Sequence, residues 1–295
     1  TTAGTLKFFL SWINDGLIEI GAGSTVSMDS NAYNANGAYN GANLINNGVI
    51  RGSGTLDLGY TSVWASTQYL YTLMTLTNNG TLDPGVGAGG TGTLTVKGNL
   101  VQGTGGTIRL DLGGTDAGQY DKLSVVGMTQ QSPTAQLGGT LEIVEGSNGF
   151  YADLGDIFPN LVTTSGVLSG SFSNVSTPAD VVFTLNQSGS VDITNTALSI
   201  TRWGTDSSGD WGDAANWTRG TPTANKDAVL SRAAASPTIT VSSGTQTAHA
   251  LQVDENLEMT GGTLTLPDSF VGFGLGGGLV MNGGELVNPV ALGFD

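Results

Sequence analysis

The stretch Gly89–Gly98, GGTGTLTVKG, carries the pattern that decides the fold of this chain. Aliphatic residues alternate with Thr or a charged residue over its second half, and glycines bound it on both sides. Alternation with a period of two places every second side chain on the same face, which is typical of a β-strand with one buried face. The flanking glycines suit tight turns because glycine reaches positive φ without steric cost. The stretch therefore predicts a short strand between two turns.

The same Gly-Thr-aliphatic phrase returns along the chain, at Gly54, Gly80, Gly92, Gly106, Gly139 and Gly262. The first four glycines are separated by 26, 12 and 14 residues. Such steps match whole and half turns of a β-solenoid with about 20 to 30 residues per turn. Parallel crossovers are right-handed in nearly all proteins. The spacing thus predicts an all-β, right-handed parallel β-helix, with immunoglobulin-like sandwich modules as the alternative.

Composition narrows the choice of partners. The 295 residues include 9 basic and 24 acidic side chains, which gives a net charge of −15. Because no basic cluster occurs, we expect neither nucleic acid nor an anionic membrane as a partner. No run of about 18 apolar residues predicts a transmembrane helix, so we expect no membrane insertion of this segment. The chain has no cysteine, so a repetitive sheet core must hold the fold without disulfides.

Changes in amino-acid composition along the chain predict two consecutive solenoid segments. Residues 1–200 form the first, with inserted loops near 24–43, which is rich in Asn, Ala and Tyr, and near 60–75, where aromatic residues concentrate. Residues 201–295 form the second, which opens with a Trp-rich segment at 201–230 and continues as a truncated β-solenoid. We interpret the chain as a fragment, or the mature ordered part, of a longer polypeptide.

Residues 120–175 resemble the closing turns of autotransporter-passenger-like and filamentous-haemagglutinin-like surface proteins. The motifs that carry the resemblance are YDKLSV at Tyr120–Val125, LGGTL at Leu137–Leu141, GDIF at Gly155–Phe158 and SGSF at Ser169–Phe172. The departure is Ile157–Asn160, where that family has a plainer strand. The resemblance implies a secreted or cell-surface β-solenoid, commonly from a Gram-negative bacterium. It transfers no catalytic residue, because the shared positions are structural.

A second resemblance is to the opening of another kind of module in large secreted bacterial proteins. It rests on Trp203, Trp211, Asn216, Trp217, Pro222 and Asp227. Two interpretations of Trp203, Trp211, Asn216 and Trp217 stay open. The cluster is a hydrophobic cap over the open end of a β-helix, or an exposed aromatic row on which sugar rings stack.

An acidic residue follows the inward aliphatic residue in several repeats. These acids are Asp57, Asp83, Asp111 and Glu142. By alternation they face outward, and aligned repeats would stack them at about 4.8 Å. Like charges so close repel unless they are solvated, staggered or bridged by a cation. They therefore form either a solvated acidic stripe or a Ca²⁺ site, although the chain has no EF-hand loop and no Ca²⁺-binding nonapeptide.

Catalysis has little support. His249 is the single histidine, so a Ser-His-Asp or multi-His metal site is excluded or incomplete within this chain. We assign no catalytic and no cofactor-binding residue. Polysaccharide cleavage by a carboxylate pair stays open, because the separation of the carboxylates is not readable from sequence.

The function that follows is structural. We expect an extracellular or cell-surface β-solenoid that serves as a stalk, biofilm matrix or filament subunit with an adhesive role. The expected partner is a second copy, bound through strand edges or strand exchange, and surface glycans are a further candidate. The alternative is a carbohydrate-binding or polysaccharide-processing β-helix protein.

Overall fold

The computed structural model describes residues 4–7, 11–28, 42–65, 68–86, 89–128, 131–267, 270–274, 277–287 and 291–294. Strands account for about 52% of the structure and helix for about 1%. Most strand pairs are parallel, so the protein is all-β with parallel sheets. The prediction of an all-β protein is confirmed.

The strands are short, and glycine-containing turns join most of them. Up to residue 195 they are β1 (Thr5–Lys7), β2 (Trp12–Asn14), β3 (Leu17–Glu19), β4 (Thr25–Ser27), β5 (Leu44–Asn46), β6 (Val49–Arg51), β7 (Thr55–Asp57), β8 (Tyr60–Ala65), β9 (Gln68–Leu73), β10 (Thr75–Asn78), β11 (Thr81–Asp83), β12 (Thr93–Lys97), β13 (Asn99–Gln102), β14 (Thr107–Leu112), β15 (Lys122–Val126), β16 (Thr134–Leu137), β17 (Thr140–Glu145), β18 (Ile157–Thr164), β19 (Val167–Gly170), β20 (Asn174–Ser176), β21 (Phe183–Asn186) and β22 (Val191–Asn195).

The remaining elements follow residue 198. They are β23 (Ser199–Arg202), β24 (Gly209–Asp210), a short 3₁₀ helix (Ala214–Asn216), β25 (Lys226–Leu230), β26 (Thr238–Val241), β27 (Thr245–Thr247), β28 (Leu251–Val253), β29 (Asn256–Met259), β30 (Thr263–Thr265), β31 (Phe270–Phe273), β32 (Gly278–Met281), β33 (Glu285–Val287) and β34 (Ala291–Phe294).

The chain divides into two compact units. Unit 1 comprises residues 1–148, 157–178 and 184–194, and unit 2 comprises residues 149–156, 179–183 and 195–295. Unit 2 therefore includes short segments that precede residue 200 in the chain. The division differs in this respect from the single boundary at residue 200 that the sequence predicted.

Unit 1 is built from three parallel sheets that the chain visits in rotation. Sheet A has the order β1-β4-β7-β12-β15-β18-β22-β21, sheet B β19-β16-β13-β10-β5-β2, and sheet C β20-β17-β14-β11-β6-β3. The chain thus passes from B to C to A and returns to B, and each strand pairs with its counterpart in the next three-strand repeat. The exceptions are β8 and β9, which form a separate antiparallel hairpin, and β22 and β21, which extend sheet A beyond β18. β22 lies antiparallel to β18.

Unit 2 repeats this arrangement with fewer strands. Sheet D has the order β23-β25-β28-β31-β34, sheet E β24-β26-β29-β32, and sheet F β27-β30-β33. Among the described residues sheet F has no strand between β24 and β25, where the chain instead carries the 3₁₀ helix and Trp217.

The alternation in sequence becomes aligned columns of side chains. In sheet C the register aligns the middle residues of successive strands, and each of them is buried: Ile18, Ile50, Leu82, Ile108 and Leu141. Burying such a side chain contributes about 1.5 to 3 kcal/mol. The core of unit 1 is therefore a set of aliphatic columns rather than a layer between packed helices.

The interpretation of the 12- and 14-residue steps as half turns is wrong. Gly80 precedes β11 in sheet C, Gly92 precedes β12 in sheet A, and Gly106 precedes β14 in sheet C again. The phrase is reused in two of the three sheets, so these steps join neighbouring sheets. A complete repeat has three strands. In unit 1 its length ranges from 20 residues between the aligned Thr5 and Thr25 to 40 between the aligned Thr55 and Thr95, both in sheet A.

The two predicted inserted loops are only partly loops. Residues 60–65 and 68–73 form the β8–β9 hairpin, in which the Tyr60 and Tyr71 rings meet edge to face at 5.3 Å. Within 24–43, Thr25–Ser27 is β4 of sheet A, and residues 29–41 lie outside the described part of the chain. Alternating β-branched and aromatic residues favour a strand pair in the first case.

Candidate functional site

A column of charged residues follows the outer face of sheet C. The register aligns one position of five successive strands, which hold Glu19, Arg51, Asp83, Arg109 and Glu142. The sign of the charge changes at every step. Arg51 Nε lies 2.7 Å from Glu19 Oε2, and Arg109 Nη1 lies 3.0 Å from Asp83 Oδ1. The acids therefore do not stack on one another, because an arginine stands between each pair.

Asp111 adds a second carboxylate to the column, because it also binds Arg109. The Arg109 guanidinium donates to both carboxylate oxygens of Asp111, at 2.6 and 3.2 Å, in a bidentate arrangement. The Asp111 side chain is only 3% exposed, against 17% for Asp83. One guanidinium thus holds two carboxylates, one of them buried, and charge-assisted pairs of this kind are stronger than neutral ones.

Asp121 completes a cluster of three carboxylates whose oxygen atoms lie within 4.8 Å of one another. It is fully buried. Its Oδ1 accepts the backbone N–H of Gly92 at 2.8 Å, and its Oδ2 accepts that of Asp111 at 2.9 Å. Asp121 therefore ties the turn before β12 to β14.

Burial dominates the protonation of this cluster. Desolvation raises the pKa of Asp121 to about 8, although its two backbone N–H donors act in the opposite direction and the negative charges of Asp111 and Asp83 add to the rise. Desolvation also raises the pKa of Asp111, and Arg109 counteracts it. The cluster holds a proton at Asp121 at neutral pH and an ion pair at Arg109.

The structure brings together only two of the four predicted Ca²⁺ ligands. Asp83 and Asp111 share the cluster, whereas Asp57 lies in sheet A beside Lys97, with 3.4 Å between Lys97 Nζ and Asp57 Oδ2. Glu142 aligns with Arg109 in the next strand but is not part of the cluster. Asp121 was missed because it follows Tyr120 and lies just before β15, outside the Leu-acid pattern.

The same three carboxylates have the oxygen chemistry that Ca²⁺ prefers. Arg109 already supplies a cation to two of them, so a metal ion would have to displace its guanidinium. The alternating column also corrects the idea of a continuous acidic stripe: on this face the neutralising charges are arginine side chains. The arrangement is best described as an internal ion-pair network with one buried proton.

The Trp cluster lies in the core of unit 2. Trp203, Trp211 and Trp217 are 0%, 0% and 5% exposed. Trp217 meets Trp203 and Trp211 edge to face, with centroids 5.3 and 4.8 Å apart, and donates from Nε1 to the Trp211 carbonyl at 2.8 Å. Asn216 donates from Nδ2 to the Asp210 carbonyl at 3.0 Å. The buried indoles do not form the exposed row that stacking on a sugar requires.

The Trp cluster lies next to the terminal strands of sheets D and E. Trp203 directly follows β23 and Trp211 directly follows β24, which are the terminal strands of sheets D and E. Trp217 occupies the stretch where sheet F has no strand. The indoles share one apolar core with Ile239 of β26 and Leu251 of β28.

Unit 2 also contains a buried cationic pair. Lys226 is 6% exposed and lies 3.2 Å from Asp153, measured from Nζ to Oδ1. Arg219 is 4% exposed, donates from Nη1 to the Ala179 carbonyl at 3.3 Å, and has its pKa lowered to about 10 by burial. Both cations face the Tyr151 ring, at 5.8 and 5.4 Å. These contacts join residues 149–156 and 179–183 to the rest of unit 2.

A buried ladder of amide side chains runs through sheet B. Asn14 Nδ2 donates to Asn46 Oδ1 at 2.7 Å, Asn46 Nδ2 to Asn78 Oδ1 at 2.6 Å, and Asn78 Nδ2 to Gln102 Oε1 at 2.9 Å. The next aligned residue is Leu137, so the ladder ends, and Gln102 Nε2 has no hydrogen-bond partner among the described residues. Sequence analysis missed this ladder, although the repeated Asn-Asn-Gly at 46–48 and 78–80 signals it.

His249 lies beside Asp227, with 2.9 Å between Nδ1 and Oδ1. The pair is partly exposed: Asp227 lies in β25 of sheet D, and His249 lies in the bend that precedes β28, the next strand of that sheet. Within the described ranges, the Asp83, Asp111 and Asp121 cluster is the one group of three or more potential metal ligands. None of the described helical residues forms a segment long and apolar enough to cross a membrane.

No protein-family model matches this chain, and neither a curated protein nor a solved structure matches it.

Proposed function

We propose that this chain is a structural protein of the cell surface or extracellular space, in which each unit is a right-handed parallel β-helix. The observation that carries the proposal is the rotation of the chain through three parallel sheets with aligned columns of side chains. A core of this kind extends by adding repeats, which suits a stalk, matrix or filament subunit. The motif resemblance to autotransporter-passenger-like and filamentous-haemagglutinin-like proteins supports secretion from a Gram-negative bacterium.

Self-association through strand edges is part of this proposal. β1, β2 and β3 are the terminal strands of sheets A, B and C. Leu6, Ile13 and Leu17, one on each of these strands, are 57%, 51% and 55% exposed. Leu6 aligns with the buried Val26 and Leu56, so it is an inward position that nothing within the described residues covers. Unpaired edges with apolar side chains are the usual sites of strand addition.

The test is the concentration dependence of assembly. Sedimentation velocity and negative-stain electron microscopy of the purified chain should show particles that lengthen as concentration rises. Ile13→Lys should reduce this assembly at least tenfold, because a charge on an edge strand opposes pairing.

A matched control lies on the same column. Val101 aligns with Ile13 through Ile45 and Thr77, but it belongs to the interior strand β13. Val101→Lys should leave assembly unchanged. Strictly monomeric particles at high concentration would contradict self-association, and loss of assembly in both variants would contradict the role of the edge.

A further inference from the structure

Lys226 points into unit 2 rather than towards solvent. It is 6% exposed, and along β25 it alternates with the half-buried Asp227 and the buried Ala228, so it shares the inward face with Ala228. Across sheet D it aligns with Ser199 of β23, which is also fully buried. The amine at the end of this side chain is therefore held away from bulk water.

The Lys226 amine meets the carboxyl group of Asp153. Nζ lies 3.2 Å from Asp153 Oδ1, and the Tyr151 ring lies on the same amine at 5.8 Å. The contact is close but it is not a hydrogen bond, because Oδ1 is a buried oxygen that has no hydrogen-bond partner among the described residues. An ion pair that serves stability alone normally makes that bond. The amine thus touches the carboxyl group without being fixed on one of its lone pairs.

The backbone on both sides of Asp153 is fixed. The Ala152 carbonyl accepts from Ser199 Oγ at 3.0 Å. The Asp153 N–H donates to Asp156 Oδ2 at 2.8 Å, and the Asp156 N–H donates back to the Asp153 carbonyl at 3.1 Å. Because Ser199 also aligns with Lys226 in sheet D, one residue positions both side chains of the contact.

We propose that Lys226 and Asp153 form a modification site, at which their side chains condense to an isopeptide bond between Nζ and Cγ. The bond joins the segment 149–156 to β25 within unit 2. This cross-link is separate from the self-association proposed above and does not depend on it.

The reaction needs only the two side chains and releases one water. A proton passes from the Lys226 ammonium to the Asp153 carboxylate, which gives an amine and a carboxylic acid. The lone pair of Nζ then attacks Cγ and forms the carbon–nitrogen bond. The carboxyl oxygen that holds the first proton takes a second one from nitrogen and leaves as water, so that an amide with one N–H remains.

Burial and fixed geometry both favour this condensation. Because charge is penalised away from water, the neutral amine and acid are easier to reach here than at the surface. Groups held in contact react as if at an effective concentration of about 10⁵ to 10⁸ M. Lys97 and Asp57 in unit 1 offer a comparison: their contact is a hydrogen bond of 3.4 Å, and the Lys97 side chain is 42% exposed against 7% for Lys226.

The decisive measurement is the intact mass of the purified, denatured chain, which should be lower than the mass of the sequence by one water. Trypsin cuts after unmodified lysine and arginine, so the digest should contain residues 123–202 linked to residues 220–232, with no cut after Lys226. An intact mass equal to that of the sequence, or cleavage after Lys226 to the same extent as after Lys97, would overturn the proposal.

Variants assign the lost water to this pair. Lys226→Arg keeps the positive charge but removes the amine, and Asp153→Ala removes the carboxyl group, so each should have the full mass of its sequence. Lys97→Arg is the matched control and should still lack one water. Circular dichroism establishes that each variant is folded. A folded Lys226→Arg or Asp153→Ala chain that still lacks one water would refute the assignment to these residues.

Discussion

Asn46 shows how much one buried side chain can stabilise this fold. Its side chain accepts from Asn14, donates to Asn78, and also donates to the carbonyls of Gly48 and Thr81 at 3.3 and 3.2 Å. The glycine two residues later is needed because a Cβ on Gly48 would overlap the Gly16 backbone of the preceding repeat. The Asn-x-Gly pattern therefore joins a buried amide to a tight turn.

Asn46→Ala should lower the free energy of unfolding of unit 1 by about 3 kcal/mol, because it leaves buried donors and acceptors on both sides unpaired. Asn47→Ala is the matched control. Asn47 is exposed and bonds Asp15 Oδ1 at 2.9 Å, so its loss should cost less than about 1 kcal/mol. Urea unfolding of both variants measures the difference, and equal losses would contradict a special role for the buried ladder.

Asp121 should make stability depend on pH. An unfolded aspartate has a pKa of 3.8, whereas burial raises the pKa of Asp121 to about 8 in the folded chain. Between these values the folded state binds the proton and the unfolded state does not, so stability from this group is full below pH 4 and declines as pH rises towards 8. The slope is at most about 1.4 kcal/mol per pH unit for one proton.

The measurement is urea unfolding at pH 5, 6, 7 and 8. The difference in stability between wild type and Asp121→Asn should change steadily over this range, in favour of the variant at higher pH. A constant difference would show that Asp121 is ionised in the folded state throughout.

At the scale of strands, the charged column of sheet C contains one ion pair at the surface and one that is partly buried. Arg51 and Glu19 have side chains that are 35% and 44% exposed, whereas the partners of Arg109 are 17% and 3% exposed. Water screens the first pair and reaches the second only in part. Removing a cation from a buried pair leaves an uncompensated charge, which is the larger penalty.

Arg109→Met should therefore destabilise unit 1 by about 3 kcal/mol, and Arg51→Met by about 0.5 kcal/mol. Thermal unfolding at low and high salt distinguishes them, because salt should weaken only the exposed pair. A similar loss for both substitutions would mean that burial does not set the strength of these contacts.

The strand β18 shows where the sequence pattern stops being informative. Its first residues pair antiparallel with β22, its last residues pair parallel with β15, and the register shifts between Phe158 and Val162. Asn160 has φ +60° at this irregularity, and Tyr120 donates to the Pro159 carbonyl at 3.1 Å. The shift coincides with Ile157–Asn160, where the sequence also departs from the motifs that it resembles.

Alternation and glycine spacing predicted strands and turns, because these depend on neighbours in sequence, but the burial of Asp111 was not predicted. The three-sheet rotation was not predicted, since Gly80 and Gly92 look alike in sequence but start strands of different sheets. Asp121 could not be assigned to the cluster for the same reason: its partners are 10 residues away at Asp111 and 29 at Gly92.

At the scale of the whole molecule, each unit has its own core. The Trp cluster belongs to unit 2, and its three indoles supply the largest side chains of that core. Sequence reasoning placed Trp203, Trp211 and Trp217 together, but it left their burial open because an exposed row and a core have the same spacing.

Trp217→Ala should create a cavity and destabilise unit 2 by about 3 to 5 kcal/mol. Hydrogen exchange measured by mass spectrometry should show lost protection in strands β26, β29 and β30. Trp12→Ala, on the edge strand β2 of unit 1, is the control and should leave those strands unchanged. Intact protection of β26 in the Trp217 variant would contradict the role of this side chain in the core.

The alternating charges of sheet C also limit how the gene for this chain can lengthen or shorten. Losing one repeat between Glu19 and Glu142 would bring two acids or two arginines into adjacent strands, whereas losing two repeats would keep opposite signs adjacent. Duplicating one repeat would likewise place two like charges in adjacent strands, whereas duplicating two would not. Along this face the protein should tolerate the gain or loss of an even number of repeats and be destabilised by the gain or loss of an odd number.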